Sequence, residues 1–239
     1  MTARPLPQTL SGPVEDYLKV IYDLERVGQP AFTNHIADRL AISPASVSGM
    51  VRRLADLGLI THEPYRGVRL TGDGRRAALR TLRRHRILEC YLTEVLGYAW
   101  DGVHVEAERL EHAASEELIE RMAAALGDPV HDPHGAPIPT RDGRVEEPML
   151  RTLAEAGRDE QVRVRRVLDE DAPRLRYLAE LGIRPGALVR VLDKAPFDGP
   201  ITLWVEGASR AIGVALAAQV FVEGAGGATG AGAGVGGTE

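Results

Sequence analysis

The chain has 239 residues, 44% of them hydrophobic and 26% charged, the composition of an ordinary globular protein with room for two compact domains. Its net charge of −5 means that any nucleic-acid contact must rest on a local basic patch rather than on overall basicity. A lone cysteine, Cys90, excludes an intrachain disulfide, no run approaches the ~18 apolar residues of a membrane span, and the opening MTARPLPQTLSGP lacks the apolar core of a signal peptide, so a cytoplasmic protein without membrane contact is expected.

Residues 14–27, VEDYLKVIYDLERV, repeat Val14, Tyr17, Leu18, Ile21 and Leu24 at helical spacing. After a Gly-Gln-Pro turn, Thr33 is expected to cap a short helix, NHIADRL. Ser43-Pro44 opens the next helix, PASVSGMVRRLADLG, because the hydroxyl caps and proline needs no amide hydrogen at the first position. Gly58 then ends it as a left-handed C′ residue. LITHEPYRGVRLTGDG reads as a hairpin turning at Tyr65-Arg66-Gly67.

Helix, short turn, helix and hairpin predict a winged helix-turn-helix over residues 1–75 rather than a plain helical hairpin. Ser43, Pro44, Ala45, Ser46 and Ser48 are small enough to let the second helix bring its N-terminal end to base edges in double-stranded DNA. Arg52 and Arg53 follow at phosphate reach, and the wing carries Arg66 and Arg69.

A long helix from Arg75 through RRAALRTLRRHRILECYLTEVLG has a basic first half, expected to be a solvated face that extends the positive surface. VHVEAERLEHAASEELIE then predicts one helix from Val103 to about Leu126-Gly127. Its His104, Glu108, Glu111 and His112 fall on one stripe, and His85 and Glu89 pair at i and i+4 on the helix before. Glu15 and Asp16, taken singly, read as exposed acids at a helix start, and Glu116, Glu117 and Glu120 as solvated surface. DPVHDPHGAPIPTRDG is a proline-rich loop whose His131 and His134 are expected to be structural or solvent-exposed.

The helical part is bounded at 76–145 and followed by a polar linker, 146–160. From Gln161 to residue 224, alternating runs (QVRVRRVL, RPGALVRVLD, ITLWVEG, ALAAQVFVEG) and one helix, PRLRYLAELG, resemble an SH3-like β-barrel. Residues 225–239 form a low-complexity Gly/Ala tail. The fold class is therefore mainly α with a small β domain.

Imidazole and carboxylate donors without a thiolate suit manganese, ferrous iron, cobalt or zinc, and suit copper(I) or iron–sulfur clusters poorly. Two other readings compete at this point. Glu108-x-x-Glu111-His112 is similar to an inverted zincin signature, but the first position is Glu where that signature has His, so a zinc-type metallohydrolase is not met. A winged-helix regulator sensing an organic ligand would leave the carboxylate stripe unexplained.

EDYLKVIYDLE, IADRLAISPASVSGMVRRLADLGLI, RHRILE, VHVEAERLEH and PHGAPIP, in this order over roughly residues 10–140, resemble the diphtheria-toxin-repressor family of iron- and manganese-dependent transcriptional regulators. The resemblance implies a homodimer with residues 76–145 as its dimerisation and metal-binding domain, a palindromic operator, repression of metal-uptake genes, and no organic cofactor. It implies a first metal site of Asp16, Glu108, Glu111 and His112, joined in manganese-type members by His85. A second site would take His85, Glu89 and His104, with Asp169 or Glu170 reaching from the SH3-like domain.

Iron-type members have a methionine where this chain has Asp16 and a cysteine where it has Glu108. Carboxylates at both places favour Mn2+, with Fe2+ as the alternative and Zn2+, Co2+ or Cd2+ as substitutes in vitro. Manganese-type members have a glutamate where this chain has Lys19, a cation that opposes a second metal ion close by. The implied switch is electrostatic: Asp16, Glu108 and Glu111 repel one another until a divalent ion joins them.

Overall fold

A computed structural model describes residues 10–63, 67–168 and 171–225. The wing tip with Arg66, the candidate ligands Asp169 and Glu170, and the tail from residue 226 lie outside the described residues. The described residues form two compact units, one built from residues up to 99 with 103–132 and 137–147, the other from 100–102, 133–136 and 148 onward.

The first unit begins with α1 (Gly12–Arg26), α2 (Thr33–Leu40) and α3 (Pro44–Asp56), followed by the wing strands β1 (Ile60–Glu63) and β2 (Gly67–Leu70). Phe32, not Thr33, is the N-cap of α2, and Thr33 is its first residue. The α3 start is as expected: Ser43 Oγ accepts from the Ser46 amide at 3.2 Å, with Pro44 at the first position. Gly58 sits at φ +71° beyond the end of α3. The wing is antiparallel, Ile60 opposite Leu70 and Glu63 opposite Gly67.

The long α4 (Gly72–Glu94) is capped by Thr71 and carries two cores. Its Ala77, Ala78, Leu79 and Leu82 pack with Leu18, Ile21, Ile36, Val47, Leu54 and Leu59 of the winged helix. One turn further on, Ile87, Leu88 and Leu92 pack with α5 (Val103–Leu110) and α6 (Glu116–Ala125) through Val103, Ala107, Ile119 and Ala123. Each such large aliphatic side chain contributes roughly 1.5–3 kcal/mol by leaving water, so one rigid helix is pinned to both groups of elements. Gly74 is required where α4 meets the wing, because a Cβ there would collide with the Leu59 carbonyl.

Two helical readings need correction. The single helix expected from Val103 to Leu126 is broken: α5 ends at Leu110, and Ser115 starts α6 by accepting from the Leu118 amide at 3.2 Å. A serine in an interior turn can cap a new helix as well as continue an old one, and here capping wins. The basic half of α4 is solvated only in its first turns, where Arg75, Arg76 and Arg80 are exposed; further on it is drawn into the fold. Arg83 pairs with Glu120 at 3.1 Å, Arg84 with Glu15 at 2.5 Å and Glu116 at 3.0 Å, and Arg86 with Asp132 at 3.4 Å. Glu116 and Glu120 are thus partners of α4 rather than idle surface.

The second unit is a six-stranded antiparallel sheet in the order β3-β8-β4-β5-β6-β7, closed over a core of Val162, Val164, Leu175, Ile183, Val189, Leu203 and Val222. Its strands are β3 (Arg151–Thr152), β4 (Gln161–Val167), β5 (Leu188–Lys194), β6 (Ile201–Val205), β7 (Ala208–Ile212) and β8 (Val220–Gly224), with helices α7 (Ala172–Glu180) and α8 (Val214–Ala217). This is the SH3-like module, and it starts earlier than the expected linker boundary. Arg151 and Thr152 pair with Val222 and Phe221, and Leu153 and Ala156 are fully buried. ALAAQ, expected as strand, turns as α8 after Gly213, while ASRAI, not singled out, is β7. His134 belongs to this unit as a structural residue: it is buried, Nε2 donates to the Trp100 carbonyl at 2.7 Å, and its ring stacks on Trp100.

Candidate metal centre and DNA-binding face

Side chains from α1, α4, α5 and the turn after α5 converge within the first unit. Ligand atoms lie within 4.8 Å of one another in three overlapping groups there: Asp16 with Glu111 and His112; His85 with Glu108 and Glu111; and His85 with Glu89 and His104. Asp16, His85, Glu89, His104, Glu108, Glu111 and His112 are therefore neighbours in space. The donors are carboxylate oxygen and imidazole nitrogen throughout; buried Cys90 instead sets its Sγ 3.6 Å from the His131 carbonyl. Oxygen and nitrogen donors converging from four segments fit a borderline-to-hard divalent cation.

The helix break decides the geometry. Glu111 and His112 follow the last residue of α5, although the Glu111 amide still donates to the Ala107 carbonyl at 2.9 Å. His112 thereby turns onto α1, where Nδ1 lies 2.8 Å from Glu15 and Nε2 lies 2.8 Å from Asp16. Gly12 makes room for it, since a Cβ at that position would sit 3.2 Å from the imidazole ring. Glu15 is buried, not the exposed helix-start acid that the sequence suggested, and it also accepts from Arg84. The missed signal was its register: Glu15 precedes Leu18 and Tyr22 by three and seven residues, on the apolar stripe of α1.

His85 sits between two of the groups. Its Nδ1 is 2.5 Å from Glu111 Oε2, and its Nε2 is 3.0 Å from both Glu89 and His104 Nδ1. Burial opposes a charge on His85, but the Glu89 carboxylate and the hydrogen bonds to Glu111 and Glu89 outweigh it and raise its pKa. Burial also opposes a charge on His112, and the hydrogen bond to Glu15 with the nearby Asp16 carboxylate turns that into a net rise. Burial raises Asp16, more than His112 and Lys19 lower it. Burial would raise Glu111 as well, yet its hydrogen bond to His85 and the charge of Lys19 hold it below the usual carboxylate range.

Lys19 corrects the electrostatic picture drawn from sequence. Its Nζ donates to Glu108 Oε1 at 2.7 Å and to Glu111 Oε1 at 2.8 Å. Glu108 and Glu111 thus share an ammonium, and Asp16 faces an imidazole, instead of all three repelling one another. Burial works against the ammonium, but the carboxylates of Glu111 and Glu108 prevail and raise its pKa.

On α3, Ser43, Pro44, Ala45, Ser46, Ser48, Arg52 and Arg53 are exposed, while Val47 and Leu54 anchor the opposite face. Ser48 Oγ donates to the Pro44 carbonyl at 3.1 Å. Arg69 of the wing pairs with Glu63 at 3.8 Å. A groove of about 580 Å3 runs between α1 and α3, with Asp16 and Tyr17 of α1 on one side and Ser46, Gly49, Met50 and Arg53 of α3 on the other.

A winged helix pinned through α4 to a nitrogen–oxygen ligand cluster defines a metal-dependent DNA-binding regulator. Residues 9–68 match the family described as "Iron dependent repressor, N-terminal DNA binding domain", residues 71–140 its "metal binding and dimerisation domain", and residues 151–224 the FeoA domain. The chain belongs to this family and is a metal-dependent transcriptional repressor rather than an enzyme.

The iron-dependent repressor IdeR of Mycobacterium bovis is 34% identical over 205 residues, which cover 81% of this chain and 88% of the relative. The diphtheria toxin repressor of Corynebacterium diphtheriae is 33% identical over 199 residues, or 79% and 87%. Among solved structures, a manganese-dependent transcriptional repressor in complex with manganese is similar with a TM-score of 0.80 and 40% identity, over 88% of this chain and 99% of the other. No helix among the described residues is long and apolar enough to cross a membrane.

Proposed function

We propose that this repressor is activated by manganese, with ferrous iron second, and that the metal-loaded homodimer binds a palindromic operator controlling metal-uptake genes. The observation that carries the metal preference is the sulfur-free donor set at Asp16, Glu108, Glu111 and His112, because hard oxygen donors favour manganese over softer ions. Asp16, Glu108, Glu111 and His112 would hold one ion, with His85 beside them; His85, Glu89 and His104 would hold another.

When bound, a divalent ion supplies positive charge that carboxylates of α1 and of the turn after α5 share. The residues do the rest. Asp16 and His112 hold α1 to that turn, and α1 shares with α3 both a core and a groove, so fixing α1 fixes the recognition helix. Ser43, Pro44, Ala45, Ser46 and Ser48 would meet base edges, with Arg52, Arg53 and Arg66 on phosphates. Coupling between the two sites is reciprocal, and a typical ~1–3 kcal/mol corresponds to roughly 5–150-fold in DNA affinity.

The test is operator-length DNA binding with manganese, iron(II), zinc and no metal, at one salt concentration because phosphate contacts are salt-dependent. Manganese should tighten binding most, and Asp16→Ala should remove that gain while leaving thermal unfolding in place. Equal binding with and without manganese in the unmodified protein overturns the reading.

A further inference from the structure

His35, in the first turn of α2, is a half-buried titratable residue that neither the metal centre nor the recognition helix uses. Its Nδ1 lies 2.7 Å from the Pro30 carbonyl, which also accepts from the Phe32 amide at 2.9 Å. A carbonyl oxygen can only accept, so Nδ1 keeps its proton in either charge state and the neutral ring presents Nε2 as a bare lone pair. The Phe32 ring flanks the imidazole, centroids 5.6 Å apart, and no carboxylate among the described residues pairs with it. The charges around this corner have other work. On α1, Asp23 pairs with Arg26 at 3.6 Å, and Glu25 accepts from the Leu70 amide and from Arg75. The wing adjoins at Ala31, whose carbonyl accepts from the Val68 amide at 3.1 Å, and its Arg69 lines a pocket with Glu25 and Pro30 while pairing with Glu63 at 3.8 Å. Asp38 and Arg39 on α2 itself, and Arg52, Arg53 and Asp56 on α3, are exposed.

We propose that His35 contacts a phosphate of the DNA backbone, and does so only as the imidazolium, so that DNA binding takes up a proton. The proposal rests on the DNA-binding face described above. In a helix-turn-helix the first helix crosses the sugar-phosphate backbone while the second enters the groove, and α2 and α3 hold those places here. A neutral His35 would turn a lone pair toward a phosphate oxygen, and the two repel. The protonated ring instead donates Nε2–H and adds a charge-assisted bond. Arg52 and Arg53 stay charged throughout, so His35 supplies the part of the backbone contact that depends on pH. By linkage, affinity for DNA rises as pH falls through the range, about pH 5–8, in which histidines change charge.

The test uses the full-length protein at saturating manganese, with a duplex it selects from random sequence and an unrelated duplex of the same length. Affinity and its salt dependence are read by anisotropy at about pH 6 and about pH 8. His35→Asn keeps a donor for the Pro30 carbonyl but places nothing where Nε2 was. Compared with the unmodified protein at the same pH, it should bind both duplexes roughly tenfold more weakly at the acid end, with a salt slope lower by about one, and equally well at the alkaline end. His35→Arg, a cation at both pH values, should bind more tightly than the unmodified protein at the alkaline end. Thermal unfolding establishes that both variants are folded; if His35→Asn is not, His35→Gln takes its place. Equal losses at both pH values, a loss confined to the selected duplex, or an unchanged salt slope overturns the phosphate contact while leaving the DNA-binding face standing. Failure of the manganese-loaded protein to select any duplex overturns both.

Discussion

His112 is the residue on which the site turns, because its two nitrogens do different work. Nδ1 faces Glu15 and Nε2 faces Asp16, so in the proposed site Glu15 would leave Nε2 for a metal. A carboxylate behind a ligating imidazole orients the ring and raises its basicity, and losing it typically costs 10–100-fold in metal affinity. Glu15→Ala should therefore weaken manganese binding by about that factor, as read by titration, with Glu116 left to hold Arg84. An unchanged dissociation constant would mean that Gly12 and Asp16 alone position the ring. The sequence displayed Glu111 and His112 as candidate ligands through residue type and spacing, and Asp16 only through the family resemblance. It hid Glu15, because an acid near a helix start has an adequate explanation in the helix dipole until the packed face is known.

At the scale of elements, the break between α5 and α6 matters more than the length of either. A continuous helix from Val103 to Ala125 would have kept Glu111 and His112 in register with His104 and Glu108. Ending α5 at Leu110 frees both to turn toward α1. Ser115 holds the restart, so Ser115→Ala should destabilise the protein by about 1 kcal/mol in thermal unfolding, the usual worth of such a cap. If the melting temperature does not move, the buried Ile119 and Ala123 suffice to hold α6. The winged helix was legible throughout, since Ser43-Pro44, Gly58 and the apolar periodicity act locally. The start of the SH3-like sheet was not: β3 is two residues long and exists only because β8, some seventy residues later, pairs with it.

At the scale of the whole molecule, the family's DNA-binding and dimerisation domains are both present, and the proposed homodimer sets a geometric expectation. Two recognition helices reading one face of DNA need half-sites about one helical turn, ~34–36 Å, or a multiple of it apart. Operator DNA with one half-site scrambled should lose most of its manganese-dependent affinity in an anisotropy titration. Equal affinity for the intact and the half operator would argue that one subunit suffices.

Residue type, periodicity and capping by themselves determined the winged helix, a sulfur-free set of candidate donors and the class of metal such donors suit, since each depends on neighbours a few residues apart or on donor chemistry alone. Only the tertiary structure decided that Lys19 lies between Glu108 and Glu111, that Glu15 backs His112, and that Arg83, Arg84 and Arg86 of α4 are spent on ion pairs inside the fold. Those contacts join residues from 26 to nearly 100 positions apart, as in His85 with Glu111 and His112 with Glu15. Charge pairing at such separations depends on how α1, α4 and α5 pack, and that packing is set by apolar side chains elsewhere on the same helices.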